Sequence, residues 1–479
     1  MNENLEKRLK RQVIGKPHRF LAIAPLGFEA TLAYELSLFG LEFPDEESAP
    51  HITGDGKVEF FAKITEAWKA VAYSRVANRI LMHLADFKAE NFRELEKKAA
   101  EIPWELYLQC HPERSNVGCE VEGSLDIHVS CKHSRLYHSD AIAERLHNII
   151  HSSTNGHSGE GRNQHTLSPA DSHSGVGRNQ HTNSPADSHS GVGRNQHSLS
   201  NTEHLYVTLI DDRCTIWLDL AGEELYKRGH ERFVNDAPLK ETIAAAMILE
   251  ATHCLPSTSY CLLDLMAGSG TFSLEAAYMT NGLIPGKCRD FALKHQPAFK
   301  EATWNFLVRR ETKGERRENE CNILKIVTSD ISPKATEIIQ HNVECSPLAS
   351  IEQAPITSQV KDFFSYTANE IAEACPGETA PIIVLNPPYG KRLDFDAPKL
   401  YTQIGRRLAE LARALKPLGK PLTVAILAPK DDSRPGTHYT CTANLLRECP
   451  ELSPTRNANA KCIATSHGGF SLNAFIASL

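Results

Sequence analysis

A strand, a glycine turn and a helix follow one another without a gap between Cys261 and Ala277, and this unit constrains the fold more than any other stretch of the chain. The run Cys261-Leu262-Leu263 is apolar and reads as a strand that ends in Asp264. Gly268 and Gly270 follow, and behind them the helix Phe272-Ser273-Leu274-Glu275-Ala276-Ala277. Glycines at such a turn let the backbone approach a ligand closely. The helix start offers N–H groups that no helical carbonyl takes. Dinucleotide folds use similar turns, but the full G-x-G-x-x-G spacing is absent, because position 273 is Ser.

Two further acids fall at expected strand ends. Ile323-Leu324-Lys325-Ile326-Val327-Thr328-Ser329-Asp330 reads as a second strand, and its terminal carboxylate suits the two hydroxyls of a ribose. Val360-Lys361-Asp362 closes a third, with the acid placed for an adenine amino group. The gap from Gly270 to Asp330 is long for one strand–helix–strand step, so residues 281–320 are expected to hold an excursion carrying Phe291, Phe299, Trp304 and Phe306. Each Asp alone also reads as a solvated loop carboxylate or a helix cap. In this order they are similar to the D-x-x-x-G-x-G turn and following acids that receive S-adenosyl-L-methionine in class I methyltransferases.

The pentapeptide Asn386-Pro387-Pro388-Tyr389-Gly390 follows the apolar strand Pro381-Ile382-Ile383-Val384-Leu385. This arrangement suits one task, holding a planar exocyclic amine for attack. The Asn386 amide oxygen accepts one N–H and the Pro387 carbonyl the other, in a loop that proline stiffens. Pro388 adds to that stiffness, and Tyr389 stacks on the ring that carries the amine. The plain alternative is a Pro-Pro turn after a strand.

Together these stretches resemble the THUMP-domain RNA methyltransferases, in particular the bacterial 23S ribosomal RNA guanine-N2 methyltransferases of the RlmL type. Phe20-Leu21-Ala22-Ile23-Ala24-Pro25-Leu26-Gly27-Phe28-Glu29 resembles the family's opening strand and turn. Tyr73-Ser74-Arg75-Val76-Ala77-Asn78-Arg79-Ile80 resembles its S-R-x-x-x-R-I helix. Leu225-Tyr226-Lys227-Arg228-Gly229-His230 and Ala237-Pro238-Leu239-Lys240-Glu241-Thr242 resemble its R-G-Y…A-P-L-K-E-T segment. The likeness runs from Phe20 to near Leu479 with one interruption. Leu265 and Ala267 depart from the common D-P-M-C-G-S-G-T form, at positions whose side chains the cofactor does not need.

The resemblance implies an α/β fold. A Rossmann-like class I methyltransferase domain with a mostly parallel seven-stranded sheet is expected at 223–479, the ligand lying across the strand C-termini. Its closing strands should be antiparallel, around Cys462-Ile463-Ala464 and residues 472–476. Before it are expected a basic arm at 1–17, a ferredoxin-like lead segment at 18–62 and an α+β THUMP region at 63–222. Asp264, Gly268, Gly270, Asp330 and Asp362 are then the cofactor residues, and Asn386, Pro387, Pro388 and Tyr389 the catalytic ones. The implied reaction is in-line attack of a flipped-out guanosine's N2 amine on the sulfonium methyl, with positioning supplying much of the rate and no metal required. Its substrate would be 23S rRNA or a pre-ribosomal particle.

Charge bears on that substrate. With 52 Lys and Arg against 59 Asp and Glu, the chain carries a net charge of -7, whereas phosphate binding needs positive charge, at least locally. Basic clusters exist at 7–19, 132–135, Arg309-Arg310, Lys227-Arg228 and Lys391-Arg392. The last adjoins the proposed base pocket, and Lys227, Arg228, Lys391 and Arg392 are the candidate RNA contacts. The 13 scattered cysteines form no C-x-x-C pair, which favours reduced thiols in a cytoplasm over a zinc ribbon or disulfide framework. No apolar run approaches a membrane span and no cleavable leader is evident.

The interruption is a tandem repeat. His157-Ser158-Gly159-Glu160-Gly161-Arg162-Asn163-Gln164-His165 recurs almost unchanged from His173 and again from His189, with Val176 and Val192 in place of Glu160. Rich in Ser, Gly, Asn and His, it buries too little apolar surface to offset chain entropy, so 151–200 is expected to be a disordered insert. Its histidines could bind a metal, although an expanded repeat without function explains them as well. Around it, 124–130 alternates like a strand, 140–150 carries a helical stripe, and 205–210 with 214–220 reads as a hairpin about Asp211-Asp212.

Three other functions share part of this signature. They are a tRNA guanine-N2 methyltransferase, a DNA adenine-N6 methyltransferase and a non-catalytic RNA-binding assembly factor. Some rRNA relatives carry a second methyltransferase domain; this chain is too short for one, so a single activity is expected.

Overall fold

The computed structural model describes residues 3–109, 124–155, 202–234, 238–253, 259–309, 322–351, 356–389, 396–431 and 440–479. The helix expected at 140–150 spans Ser139–Asn155, so residues 151–155 belong to it rather than to the insert; the rest of the repeat lies outside the described residues.

Two seven-stranded sheets organise the chain. The first holds β1 (Pro17–Ile23), β2 (His51–Gly54), β3 (Lys57–Lys63), β4 (Arg79–Lys88), β5 (Leu125–Lys132), β6 (Glu203–Ile210) and β7 (Arg213–Asp219). Their order is β2-β3-β1-β4-β7-β6-β5. All neighbours are antiparallel except β5 and β6, which run parallel. Strands from 18–62 and from 63–222 thus meet across β1 and β4 in one continuous sheet. The β6–β7 hairpin turns on Asp211 and Asp212, both at positive φ (49° and 63°), the backbone of a type I′ turn whose twist matches its strands. Along β6, Glu203, Leu205, Val207 and Leu209 are buried, while His204, Tyr206 and Thr208 alternate with them on a more open face.

The second sheet holds β8 (Tyr260–Asp264), β9 (Ile323–Asp330), β10 (Ile356–Val360), β11 (Ala380–Leu385), β12 (Thr423–Pro429), β13 (Lys461–His467) and β14 (Phe470–Ser478). Its order is β10-β9-β8-β11-β12-β14-β13. The first five of these are mutually parallel, and β14 and β13 close the edge antiparallel, as expected. Every residue of β8, β11 and β12 is buried, the continuous apolar pattern of strands covered on both faces. The strand order reverses between β8 and β11, and ligands of open parallel sheets bind outside the strand C-termini at such a reversal.

The S-R-x-x-x-R-I stretch is not a helix. The helix Ile64–Tyr73 stops at Ser74, whose backbone is extended (φ -67°, ψ 127°). Glu35, itself buried, causes the break by accepting from Ser74 Oγ at 2.6 Å and from the Arg75 and Val76 amides at 2.8 and 3.3 Å. Burial raises the Glu35 pKa, against those three hydrogen bonds.

The excursion after Gly270 braces the two sheets. Phe299 packs on Trp68 with ring centroids 5.5 Å apart, and Trp304 meets Phe291 at 5.5 Å. Tyr73 Oη donates to the Leu307 carbonyl at 2.8 Å, and Arg75 Nη2 to the Leu283 carbonyl at 2.6 Å. Glu250 accepts from Thr31 Oγ1 at 2.6 Å and Lys461 Nζ at 2.5 Å. One apolar core accordingly runs from Phe20 and Ile80 under the first sheet to Leu262 and Ile476 in the second. Among the described residues no helix is long and apolar enough to cross a membrane.

Candidate active site

The expected acids and the N-P-P-Y loop follow four strands that are immediate neighbours, β10-β9-β8-β11. Strand register sets their heights. Asp264 pairs with Val384 on one side and Thr328 on the other. Asn386 and Asp330 therefore each lie two residues beyond the level of Asp264, on flanking strands, at the point where the order reverses.

Asp264 is 1% exposed, and its Oδ2 accepts from Ser273 N at 3.2 Å and Ser273 Oγ at 2.8 Å. The serine that breaks the dinucleotide spacing thus ties the helix start to the strand end. Asp264 Oδ1 is buried and has no hydrogen-bond partner among the described residues. Burial pushes the carboxyl up to about 7, opposed by the Ser273 hydrogen bonds and reinforced by the Asp330 charge.

Asp330 holds the turn. Its Oδ2 accepts from the Gly268 amide and its Oδ1 from the Ser332 amide, both at 2.9 Å. Gly268 sits at φ +55°, and a Cβ there would meet nothing within 4 Å. Gly270 sits at φ +78°, where a Cβ would come within 2.9 Å of Ile339 Cγ1. One glycine faces open space and the other is pressed against a helix. Asp362 lies two residues past β10 and accepts from the Phe364 amide at 3.1 Å.

Asn386 is half-buried, Pro387 buried and Pro388 exposed. Asn386 Oδ1 is buried without a partner among the described residues. A buried acceptor left unsatisfied is costly, and a donor entering beside it recovers that cost. Tyr389 stands edge-on to Phe470 of the β13–β14 hairpin, centroids 5.7 Å apart.

Arg228 needs correcting. Expected to meet phosphate, it is 5% exposed and engaged with Glu275 through two hydrogen bonds at 2.9 and 3.0 Å. Lys227 is exposed and pairs with Glu223 at 3.0 Å. Lys391 and Arg392 lie outside the described residues.

Two positioning residues had no sequence signal of their own. Arg232 pairs with Glu241 and donates to Thr271 Oγ1 at 2.5 Å and Ser269 Oγ at 3.2 Å. Burial lowers its pKa to about 10. Asn342 Nδ2 donates to the Ser269 carbonyl at 3.1 Å and the Phe233 carbonyl at 2.9 Å. Together they clamp the 228–234 segment over the glycine turn.

Residues 228–415 match the RMKL-like methyltransferase domain, and residues 19–81 match the RlmL ferredoxin-like domain. The chain carries the RlmL-type domain pair. Among curated relatives, the ribosomal RNA large subunit methyltransferase K/L of Allochromatium vinosum is 28% identical over 399 residues, 82% of this chain and 46% of that protein. The chain thus spans about half the length of such K/L relatives. The Bacillus subtilis protein YpsC is 27% identical over 399 residues, covering 83% of this chain and 86% of its own length. The solved structure of SMU.472 in complex with SAH superposes with a TM-score of 0.65 at 20% identity, over 97% of this chain and 98% of that one. That likeness shows the fold alone, an α/β architecture.

S-adenosyl-L-methionine is the cofactor of this domain type, and the residues present fit it. Asp264 Oδ1 is a buried acceptor without a partner among the described residues, Gly268 is a left-handed glycine whose Cβ position faces open space, and the half-buried Asp330 accepts from the Gly268 amide.

Proposed function

We propose that this chain methylates the exocyclic N2 amine of a guanosine in RNA, with 23S rRNA as the substrate. The observation that carries the chemistry is the buried Oδ1 of Asn386, without a partner among the described residues, at the strand-order reversal. An exocyclic amine is a donor of the kind this acceptor lacks. The Pro387 carbonyl takes the second amine hydrogen, Pro388 keeps the loop stiff, and Tyr389 supports the base by stacking. Asp264, Gly268, Gly270, Asp330 and Asp362 hold the cofactor. When bound, S-adenosyl-L-methionine supplies an electrophilic methyl group. Asn386 and Pro387 orient the amine lone pair, and holding the amine in place is worth much of the acceleration.

RNA as substrate is supported by the K/L relatives, named for large-subunit rRNA, which match 79–82% of this chain. Residues 18–222 act as the RNA-gripping part and 223–479 as the catalytic part. Lys227, Lys391 and Arg392 are the basic residues assigned to RNA contact.

Labelled S-adenosyl-L-methionine, unmodified 23S rRNA and, separately, bulk tRNA test this, followed by nucleoside analysis. N2-methylguanosine in rRNA alone is expected. Label in tRNA alone keeps the chemistry and overturns the substrate. No label in either, with cofactor bound, overturns the catalytic reading for free RNA.

A further inference from the structure

On the far edge of the first sheet, three ligand-type side chains converge where the methyl-transfer site has no part. Asp126 and His128 lie two residues apart on β5 and share its exposed face. His204 stands opposite Asp126 on β6 in the parallel register. His128 Nε2 is 3.2 Å from His204 Nδ1 and 3.4 Å from Asp126 Oδ2; His204 Nδ1 is 3.6 Å from the same Oδ2.

These three atoms form a nearly equilateral triangle. A tetrahedral zinc ion with bonds of about 2.0–2.1 Å needs ligand atoms roughly 3.3–3.4 Å apart, so the triangle has the size of one face of that tetrahedron. We propose that Asp126, His128 and His204 form a divalent transition-metal site of zinc type, with its fourth position open to solvent.

Ligand chemistry narrows the ion. Two imidazoles with one carboxylate suit Zn²⁺, Co²⁺ or Ni²⁺, whereas Mg²⁺ and Ca²⁺ prefer all-oxygen shells. Access is available, since the side chains of Asp126 and His128 are 53% and 42% exposed and that of His204 is 20% exposed. The His128 ring is also held from behind, stacked on Tyr206 at 4.7 Å. Such fixing of a ligand ring favours binding.

The site joins residues 76 positions apart, His128 and His204. A metal there ties together two strands that the chain visits far apart in sequence. It binds the folded form only, so it raises the melting midpoint as its concentration rises. The competing account is a plain imidazole–imidazole hydrogen bond with the Asp126 carboxylate beside it and no ion.

The chain has 22 histidines, six of them in the repeat stretch 157–197, so total zinc uptake decides nothing. The test compares the chelator-stripped full chain with His128→Ala, His204→Ala and Asp126→Asn, each titrated with ZnCl2 or CoCl2. Equal melting midpoints of the stripped proteins verify folding, and Asp126→Asn, nearly isosteric and exposed, serves if an alanine variant fails. Expected are a metal-dependent rise in midpoint and a tetrahedral-type Co²⁺ absorption in the wild type. Each variant should lose both and bind at least about tenfold more weakly, in line with loss of a metal-shell residue. The same shift and spectrum in wild type and variants, or no shift in the wild type, overturns the site and leaves the hydrogen-bonded pair.

Discussion

Arg228 and Glu275 form a two-point ion pair out of reach of solvent: Nε and Nη2 donate to Oε1 and Oε2 at 3.0 and 2.9 Å, and the side chains are 2% and 1% exposed. Arg228 Nη2 also donates to the Arg75 carbonyl at 2.9 Å. Glu275 lies in the helix Thr271–Thr280 that starts at the glycine turn, so the pair links that helix to the segment leading from the first sheet.

Removing one partner strands a buried charge. Glu275→Gln is expected to cost about 3–5 kcal/mol. Thermal or urea unfolding measures it. The double variant Arg228→Met with Glu275→Leu should recover most of the loss, because a buried pair contributes little over well-packed apolar groups. A single variant as stable as wild type would show that the pair carries no such charge.

Gly268 and Gly270 separate ligand space from packing. Both are left-handed, so alanine at either position costs about 1–2 kcal/mol in backbone energy. Gly270→Ala should lose more, because its methyl meets Ile339. Gly268→Ala should keep most stability yet weaken S-adenosyl-L-methionine binding at least about tenfold, because its methyl enters the space a ligand needs. Calorimetric titration beside melting curves checks the contrast, and the reverse ranking would refute it.

Asn386→Ala removes a buried acceptor that has no partner among the described residues. Methyl transfer should fall by about 10²–10³, the scale for losing one preorganised hydrogen-bonding group at a reacting centre. Cofactor affinity should stay within about twofold. Parallel loss of both in single-turnover and binding assays would remove Asn386 from the amine-holding role.

Glu203 makes stability depend on pH. Burial pushes its carboxyl up to about 7, against one hydrogen bond from the Gln109 amide. The folded chain therefore keeps a proton that the unfolded chain releases from about pH 4.3 upward. Stability is full below that window and falls as pH rises through about 7, by roughly 3 kcal/mol for this group. Glu203→Gln should flatten the profile and be the more stable form at pH 8. Urea midpoints at pH 5 and pH 8 decide it; identical slopes for both proteins would exclude Glu203 as the source.

Much of the catalytic half was legible in local pattern. The continuous apolar runs of β8 and β11 read as strands because burial on both faces leaves no polar alternation to confuse them. Gly268 and Gly270 announced their turn because left-handed backbone there admits little else. The β6–β7 turn announced itself through Asp211-Asp212 for a related reason, the tolerance of Asp for positive φ.

Other features depended on residues far apart in the chain. The family resemblance implies a helix past Tyr73, but the carboxylate of Glu35, some 40 positions away, takes the Arg75 amide where the helix ends. Arg228 looks like a phosphate contact until Glu275, 47 positions on, is found against it. Arg232 and Asn342 reach the glycine turn only through the folded path of the chain. Residue order along the chain thus decided the elements, their turns and the candidate chemistry, because those rest on backbone sterics and short-range burial. Which charges are exposed, which acceptors stay unpaired and which histidines meet were decided only by tertiary packing, because hydrogen bonds and ion pairs act over a few ångströms of space and are blind to distance in sequence.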